Sequence, residues 1–375
     1  MKTLCLGDIA TFISKGTTPD ASGLVARGIP FLRSEEVSGY SVNAESAQLH
    51  IKPETHESLR RSVILQNDLL VTIAGARLGR AAVYESPAEA NCNQAVAIIR
   101  LPLDRIDPMW VCLLLLSPKY QKQISDFTAG GAIPNVSLGQ LKSIEIPDLP
   151  IYTQHSVADK LKQRLSRLRE AMESTRNQLA ELDALATKLV NQFEGSTSTT
   201  IGNVLIEVTA GVGKLWKTFP VLGATRNGLA PAREQPGKLA ARYKPVDAGT
   251  VFYNPMRILI GSIAFVDDDD EPGITSPDYV VLKGKPGLVD SRWFYYWLRS
   301  PMGERCIQSL ARGAVRERML FNRLAEGEFE LPEYDVQVKA SKALARIKPM
   351  RRAIQNQLKE LELLPQKLLA QVFDA

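Results

Sequence analysis

Along residues 161–193 the apolar positions step by four and three in alternation without a slip: Leu161, Leu165, Leu168, Met172, Thr175, Leu179, Leu182, Ala186, Leu189 and Phe193. Only Thr175 and Ala186 are weak members, no Gly or Pro interrupts the stretch, and Gly195 follows its end as a stop. A stripe this narrow is a coiled-coil seam, because a helix lying on a globular core shows a broader apolar face. At 1.5 Å per residue the predicted helix is roughly 50 Å long. A seam needs a partner, and the chain supplies one. Gln355-Asn-Gln-Leu-Lys-Glu-Leu361 repeats Arg176-Asn-Gln-Leu-Ala-Glu-Leu182, in a register 179 residues later. Leu344, Ile347, Ile354, Leu358, Leu361, Leu368 and Val372 fall on the same stripe. Because a globular stretch intervenes, the two helices are expected to pack antiparallel. Pro365 stands where the first helix has Ala186. It removes a backbone donor, which predicts a continuous helix over Ser341–Leu364 and a bend before Leu368.

Outside the seams the pattern shortens. Residues 1–150 read as brief β-rich elements: Leu6-Gly-Asp-Ile-Ala-Thr-Phe-Ile13 opens a small element, and Gly16-Thr-Thr-Pro19 is a turn. Ile29–Leu32, Asp68–Ile73, Ala81–Tyr84 and Ala95–Ile99 are strand candidates. Asp107-Pro108 supplies an N-cap and first-turn proline for a helix through Leu116, and a second helix covers Lys119–Phe127. Gly130-Gly131 and Ile144-Glu-Ile-Pro147 finish the stretch.

The second half repeats these landmarks in order. Ile201-Gly-Asn-Val204 echoes Leu6-Gly-Asp-Ile9, and Val251–Phe265 aligns with Leu69–Val83 so that Gly261 falls on Gly79. Trp293–Pro301 parallels the helix ending at Ser117-Pro118, Arg312-Gly-Ala314 parallels Gly130-Gly-Ala132, and Phe329-Glu-Leu-Pro332 parallels Ile144–Pro147. The offsets drift only between 179 and 195 residues. The expected organisation is a globular domain over 1–150, a long helix over 151–195, a second globular domain over 196–332 and a second long helix over 333–375. The fold class is α+β: two mixed α/β domains, a pair of long antiparallel coiled-coil helices and an internal pseudo-two-fold repeat.

Composition narrows the setting. At 375 residues with 45% hydrophobic and 23% charged side chains, the chain has room for two or three domains with their own cores. No apolar run approaches the roughly 18 residues of a membrane span, and the opening MKTLCLGDIA lacks the apolar stretch of a signal peptide. Cys5, Cys92, Cys112 and Cys306 are scattered without a CxxC spacing, which argues against disulfides and zinc and for a reducing cytoplasm. A net charge of +5 says little alone. Its distribution says more: between Gly211 and Arg257 eight basic residues face only Glu234 and Asp247.

Catalytic patterns are hard to find. His50 and His56 stand six apart without a third ligand and read as exposed side chains. A GxSxG elbow is absent. Ala210-Gly-Val-Gly-Lys-Leu215 lacks the earlier glycine and the hydroxyl of a phosphate loop, with Val208 and Leu215 in those places. Asn254-Pro255-Met256 lacks the second proline and aromatic residue of an amino-methyltransferase loop, and no glycine-rich cofactor loop follows a strand. Asp267–Glu271 reads as a solvated hairpin tip. No catalytic, cofactor or metal residue is therefore assigned.

What remains is a binding surface. Lys214, Lys217, Arg226, Arg233, Lys238, Arg242 and Lys244 interleave with Trp216, Phe219 and Tyr243. That composition suits phosphate contacts from Lys and bidentate guanine contacts from Arg. Arg312, Arg316, Arg318 and Arg323 form a second cluster after the Trp/Tyr-rich helix. In the first half Arg27, Arg33, Arg60, Arg61, Arg77 and Arg80 are the candidates.

These residues carry a family likeness. Over essentially its whole length the chain resembles the specificity subunit of type I restriction-modification enzymes, through Leu6-Gly-Asp-Ile9, Gly16-Thr-Thr-Pro19, Asn93-Gln-Ala95 and Ser137-Leu-Gly-Gln140. Tyr253-Asn-Pro-Met-Arg257 with Gly261-Ser262, Ser276-Pro-Asp-Tyr279 and Lys188–Phe193 add to it. These are scaffold signatures, not catalytic ones. The resemblance implies two target-recognition domains, each reading half of a split sequence in double-stranded DNA, and two helices packed between them. It also implies two docked methyltransferase subunits, with a motor-nuclease subunit joining the complex, and no membrane partner. The duplication points the same way, since two readers about one helical turn apart (roughly 34–36 Å) contact one side of a duplex. The competing classes are a stand-alone DNA-modifying enzyme and a coiled-coil interaction protein without a DNA role.

Overall fold

The computed structural model describes residues 2–128, 134–192, 195–232, 236–237, 239–311 and 318–374. The chain divides into two compact units, Met1–Glu173 with Lys359–Ala375, and Ser174–Leu358.

The first unit is built on a five-stranded sheet in the order Phe12–Lys15, Val96–Arg100, Leu69–Thr72, Ala81–Tyr84, Ser41–Val42, antiparallel except for the last pair. Its strands are nearly continuous apolar runs because both faces are covered. Leu69, Val71, Val83, Ala97 and Ile99 point to one side, against Trp110, Leu113 and Leu114 of the helix Pro108–Leu115. Leu70, Ala82, Val96 and Ile98 point to the other, against Leu32, Ile64 and Cys92 of a second five-stranded sheet. The Asp107 carboxylate accepts from Met109 N at 2.8 Å, so the cap foreseen at Asp107-Pro108 starts that helix.

The second unit repeats the scheme. Leu205–Glu207, Val280–Gly284, Val251–Tyr253 and Ile263–Phe265 form a four-stranded antiparallel sheet. Val251, Tyr253, Ile263, Val280 and Leu282 face Trp293, Phe294 and Trp297 of the helix Ser291–Leu298, while Phe252, Ala264 and Val281 face the opposite cluster. Gly79 and Gly261, aligned in the sequence, both adopt the left-handed conformation, at φ of 79° and 80°.

Two buried glutamines tie the long helices to these units. Gln154 Oε1 accepts from Asp107 N at 3.0 Å, and its Nε2 donates to the carbonyls of Arg105 and Leu149 at 3.2 and 2.8 Å. Gln337 Oε1 accepts from Asp290 N at 2.9 Å, and its Nε2 donates to the carbonyls of Leu288 and Pro332 at 3.1 and 2.7 Å.

Both helices are longer than the seam indicated: Ile151–Val190 and Tyr334–Phe373, 40 residues each, about 60 Å at 1.5 Å per residue. Early residues of one share a core with late residues of the other. In the first unit Ala158, Leu161 and Leu165 join Leu369, with Phe373 packed against them. In the second unit Leu182, Ala186 and Val190 join Ala340, Leu344 and Ile347, with Leu189 and Ile354 alongside, and Asp183 pairs with Arg351. The pairing is antiparallel. Leu168, Met172, Leu179, Leu358 and Leu361 are half-buried on the same stripe, and Phe193 lies outside the described residues.

The helix starts lie 183 positions apart, one helical turn more than the 179-residue spacing of the seam repeat, and a shift of four residues keeps the apolar face. Two expectations need correction. The innermost side chains near the helix ends are Val190 and Leu369, where the strict repeat names Leu189 and Leu368. A helix at 3.6 residues per turn drifts about 20° per heptad from a 3.5 repeat, and after some three or four heptads the inward position moves on by one. Finally, Tyr334–Phe373 runs unbroken through Pro365 and through Pro349. Packing beyond Pro365 outweighs the lost donor: Leu369 is buried, and the Asp374 carboxylate accepts from Ser117 Oγ at 2.9 Å and Lys119 N at 3.0 Å.

Candidate nucleic-acid interface

The basic stretch after Gly211 separates into side chains that face solvent and side chains that hold the fold. The 3₁₀ turns Gly213–Thr218 and Ala240–Arg242 pack against each other. Gly211 permits this, since a Cβ there would lie 2.6 Å from Ala241 O, and Val212 N donates to Tyr243 O at 2.7 Å. Lys214, Lys217 and Arg242 are exposed on this double turn, with Trp216 and Tyr243 half-buried between them. Lys217 Nζ lies 5.6 Å from the Trp216 ring centroid. Charged tips over aromatic bodies on adjoining turns suit a phosphate backbone with stacked bases or sugars beside it.

Lys244 does something else. It is buried, its Nζ donates to Tyr279 O at 2.8 Å and lies 3.8 Å from Glu207 Oε1, so it closes the sheet edge and presents no charge to a ligand. Arg226 is exposed at the tip of the hairpin Leu222–Thr225/Gly228–Pro231, where its carbonyl accepts from Arg299 Nη2 at 2.6 Å. With Asn227, Ile260, Gln308, Arg351 and Gln355 it lines a cleft of about 880 Å³ in the second unit. Arg318 pairs with Asp278 at 3.0 Å on the surface, and Arg323 Nε and Nη2 donate to Leu310 O. Arg233, Lys238, Arg312 and Arg316 lie outside the described residues.

In the first unit Arg27 and Arg80 are exposed, as are Arg60 and Arg61. Arg33 donates to Glu36 at 2.9 Å and Gln48 at 3.1 Å, and Arg77 donates to Glu35 O at 3.0 Å, so these two brace the loop after Ile29–Leu32. His56 is not the solvent-facing ring expected. It sits in the helix Pro53–Ser58, with Nδ1 bonded to Asn91 Oδ1 and Nε2 2.9 Å from Glu89 Oε2. Burial pushes the Cys92 and Cys112 thiols well above their usual range, and both are inert packing groups.

The acidic run departs furthest from its expected role. Asp267 is buried, and the run links strands of two different sheets, so it is no hairpin tip. Arg292 bonds Asp267 and donates to Asp268 at 2.7 Å, while Lys348 Nζ lies 2.5 Å from Asp270 and 3.6 Å from both Asp267 and Asp269. Burial acts to raise the Asp267 pKa, but the hydrogen bonds from Arg292 and Asp268 N, with the Arg292 and Lys348 charges, hold it below the usual carboxylate value. Sequence reading missed Arg292 and Lys348, whose partners are remote in the chain and obey no period.

Among the described residues no three His, Cys, Asp or Glu side chains are placed to hold a metal ion, and no helix is long and apolar enough to cross a membrane.

Residues 1–182 match the type I restriction modification DNA specificity domain. The chain is 27% identical over 169 residues, 45% of its length, to the type I restriction enzyme EcoBI specificity subunit of Escherichia coli, and the match spans 35% of that relative. Among solved structures, a chain from work on complex assembly and conformational transition of the type I R-M system shares the fold at a TM-score of 0.67 and 15% identity, covering 99% of this chain and 97% of that one. The S subunit from M. genitalium follows at 0.54 and 16%, covering 98% and 94%. The HsdS subunit from Thermoanaerobacter tengcongensis follows at 0.50 and 15%, covering 99% and 96%. Over nearly its whole length the chain has the fold of the solved S subunits, and residues 1–182 resemble the type I restriction modification DNA specificity domain.

Proposed function

We propose that the chain is the non-catalytic DNA-recognition subunit of a type I restriction-modification complex. Residues 1–150 and 196–332 act as target-recognition domains, each reading one half of an asymmetric, two-part sequence in duplex DNA. The helix pair sets the gap between the halves and docks two methyltransferase subunits, and a motor-nuclease subunit joins through that complex. Methyl transfer and cleavage belong to these partners, and the assembly works in the cytoplasm.

The observation that carries this reading is duplication with divergence. The two halves share strand order, capped helix, glutamine contacts and 40-residue helix, yet they differ in the side chains on their exposed turns. Two like scaffolds with unlike surfaces suit two half-sites of different sequence read from one side of a duplex.

The test is methylation mapping in cells that express the chain with its methyltransferase subunits. Replacing residues 1–150 by the corresponding domain of another S subunit is expected to change one half of the methylated sequence and leave the other. A change in both halves, or methyl transfer by the isolated chain, overturns the reading.

A further inference from the structure

The carboxylate run Asp267–Asp270 is keyed to two elements at once. It leaves the strand Ile263–Phe265 and turns tightly, with Asp267 N donating to Asp270 Oδ2 at 2.9 Å and Asp268 N to Asp267 Oδ1 at 2.9 Å. Arg292, in the first turn of Ser291–Leu298, bonds Asp267 and Asp268 and reaches Ser341 Oγ of the C-terminal helix at 3.3 Å. Lys348, one turn after Leu344 on the same helix, takes the remaining acids.

Hydrophobic burial already joins this half to the helix through Leu344 and Ile347. Such burial is non-directional and tolerates small rotations and slides. Charged hydrogen bonds of fixed geometry do not, and fixing register is the best-attested use of partly buried ion pairs. The first unit has the counterpart in reduced form. Glu85, which follows Ala81–Tyr84 as Asp267 follows Ile263–Phe265, meets Lys162 of the central helix at 3.1 Å in a half-exposed single pair.

We propose that Lys348 and Arg292 are positioning residues: by gripping Asp267–Asp270 they fix the angle of the second recognition domain on the C-terminal helix, and so restrict the gap length at which the DNA target is accepted. This rests on the DNA-recognition reading above and assigns part of its gap selectivity to this cluster.

The experiment uses the full chain assembled with its methyltransferase subunits and duplexes carrying the mapped target with the gap unchanged or altered by one base pair, about 3.4 Å along the axis. Lys348→Ala is expected to keep both half-sequences while methylation at the altered gaps rises about fivefold relative to the native gap. Combining Lys348→Asp with Asp270→Lys is expected to restore the native preference, which a purely stabilising contact would not do through gap length. Asp269→Asn, on an exposed arm of the cluster, gives a smaller widening and covers the case in which Lys348→Ala does not fold. Unchanged gap preference in folded, methylating variants overturns the clamp. Wild-type methylation at sites without a fixed gap overturns the underlying reading, and the clamp with it.

Discussion

Gln154 and Gln337, 183 positions apart, make the same three hydrogen bonds from the first turns of the two long helices. Each accepts from the backbone N–H of an aspartate that begins a buried helix, and each donates to a carbonyl two residues before that aspartate and to one five residues before itself. Both side chains are fully buried, so neither has water as an alternative partner. Replacing either by Leu keeps the volume but strands one N–H and two carbonyls, which is expected to cost about 3 kcal/mol. Urea denaturation of Gln154→Leu and Gln337→Leu checks this. Markedly unequal losses would mean that the matching contacts are not matched in weight.

The helix ends offer a sharper comparison. Leu369→Ala empties a buried site and is expected to cost about 3 kcal/mol, whereas Leu368→Ala, at a half-buried position, costs about 1 kcal/mol. Pro365→Ala restores a helix-compatible residue and is expected to raise stability by about 2 kcal/mol. The reverse order at Leu368 and Leu369 would reinstate the strict heptad seam.

The clamp in the second unit predicts a pH window. The Asp267 pKa is lowered on folding, so its contribution is full above the unfolded carboxylate value near 3.9 and is lost as pH falls through the lower folded value. For Lys348, burial acts to lower the pKa, but the Asp270 hydrogen bond and the Asp270, Asp267 and Asp269 charges raise it overall. Its contribution is full below the unfolded lysine value near 10.4 and is lost as pH rises through the higher folded value. Asp267 faces Arg292, Lys348, Asp268 and Asp270, with Tyr296 nearby. Asp267→Asn is expected to flatten the acid limb of stability against pH and to cost about 3 kcal/mol at neutral pH, because it leaves Arg292 partly unpaired. An acid limb identical to wild type would remove Asp267 from the account.

DNA binding should separate the exposed cations from the structural one. Removing the charges of Lys214, Lys217 and Arg242 together is expected to lower the slope of log affinity against log salt by about 2 to 3, at about 0.9 per phosphate contact. Lys244→Ala is expected to leave the slope intact and lower the melting temperature. Salt titrations of a labelled duplex bound by the full assembly distinguish the two. A slope change from Lys244→Ala alone would reverse the assignment.

The parts legible in the sequence are those set by short-range patterns. The four-three stripe marks both long helices, Asp107-Pro108 marks the start of a helix, and the run from Leu69 to Val83 announces the strands that recur from Val251 to Phe265. The illegible parts depend on distant partners. Nothing near Lys244 says that Tyr279 O awaits it, and nothing in four consecutive aspartates names Arg292 and Lys348. The basic stretch was legible as a stretch but not as individual roles, because exposure at Lys214 and burial at Lys244 follow from how two loops fold against a sheet edge.

The first unit is not contiguous in the chain, whereas the second is: Ser174–Leu358 is an unbroken segment, and Lys359–Ala375 returns to the unit that begins at Met1. Synthesis therefore completes the two in reverse order. The second unit has all its residues once Leu358 has left the ribosome, while the first still waits for Leu369 to fill its core and for Asp374 to cap Ser117 and Lys119. The segment Lys359–Ala375 acts as the closing piece of the domain that was started first.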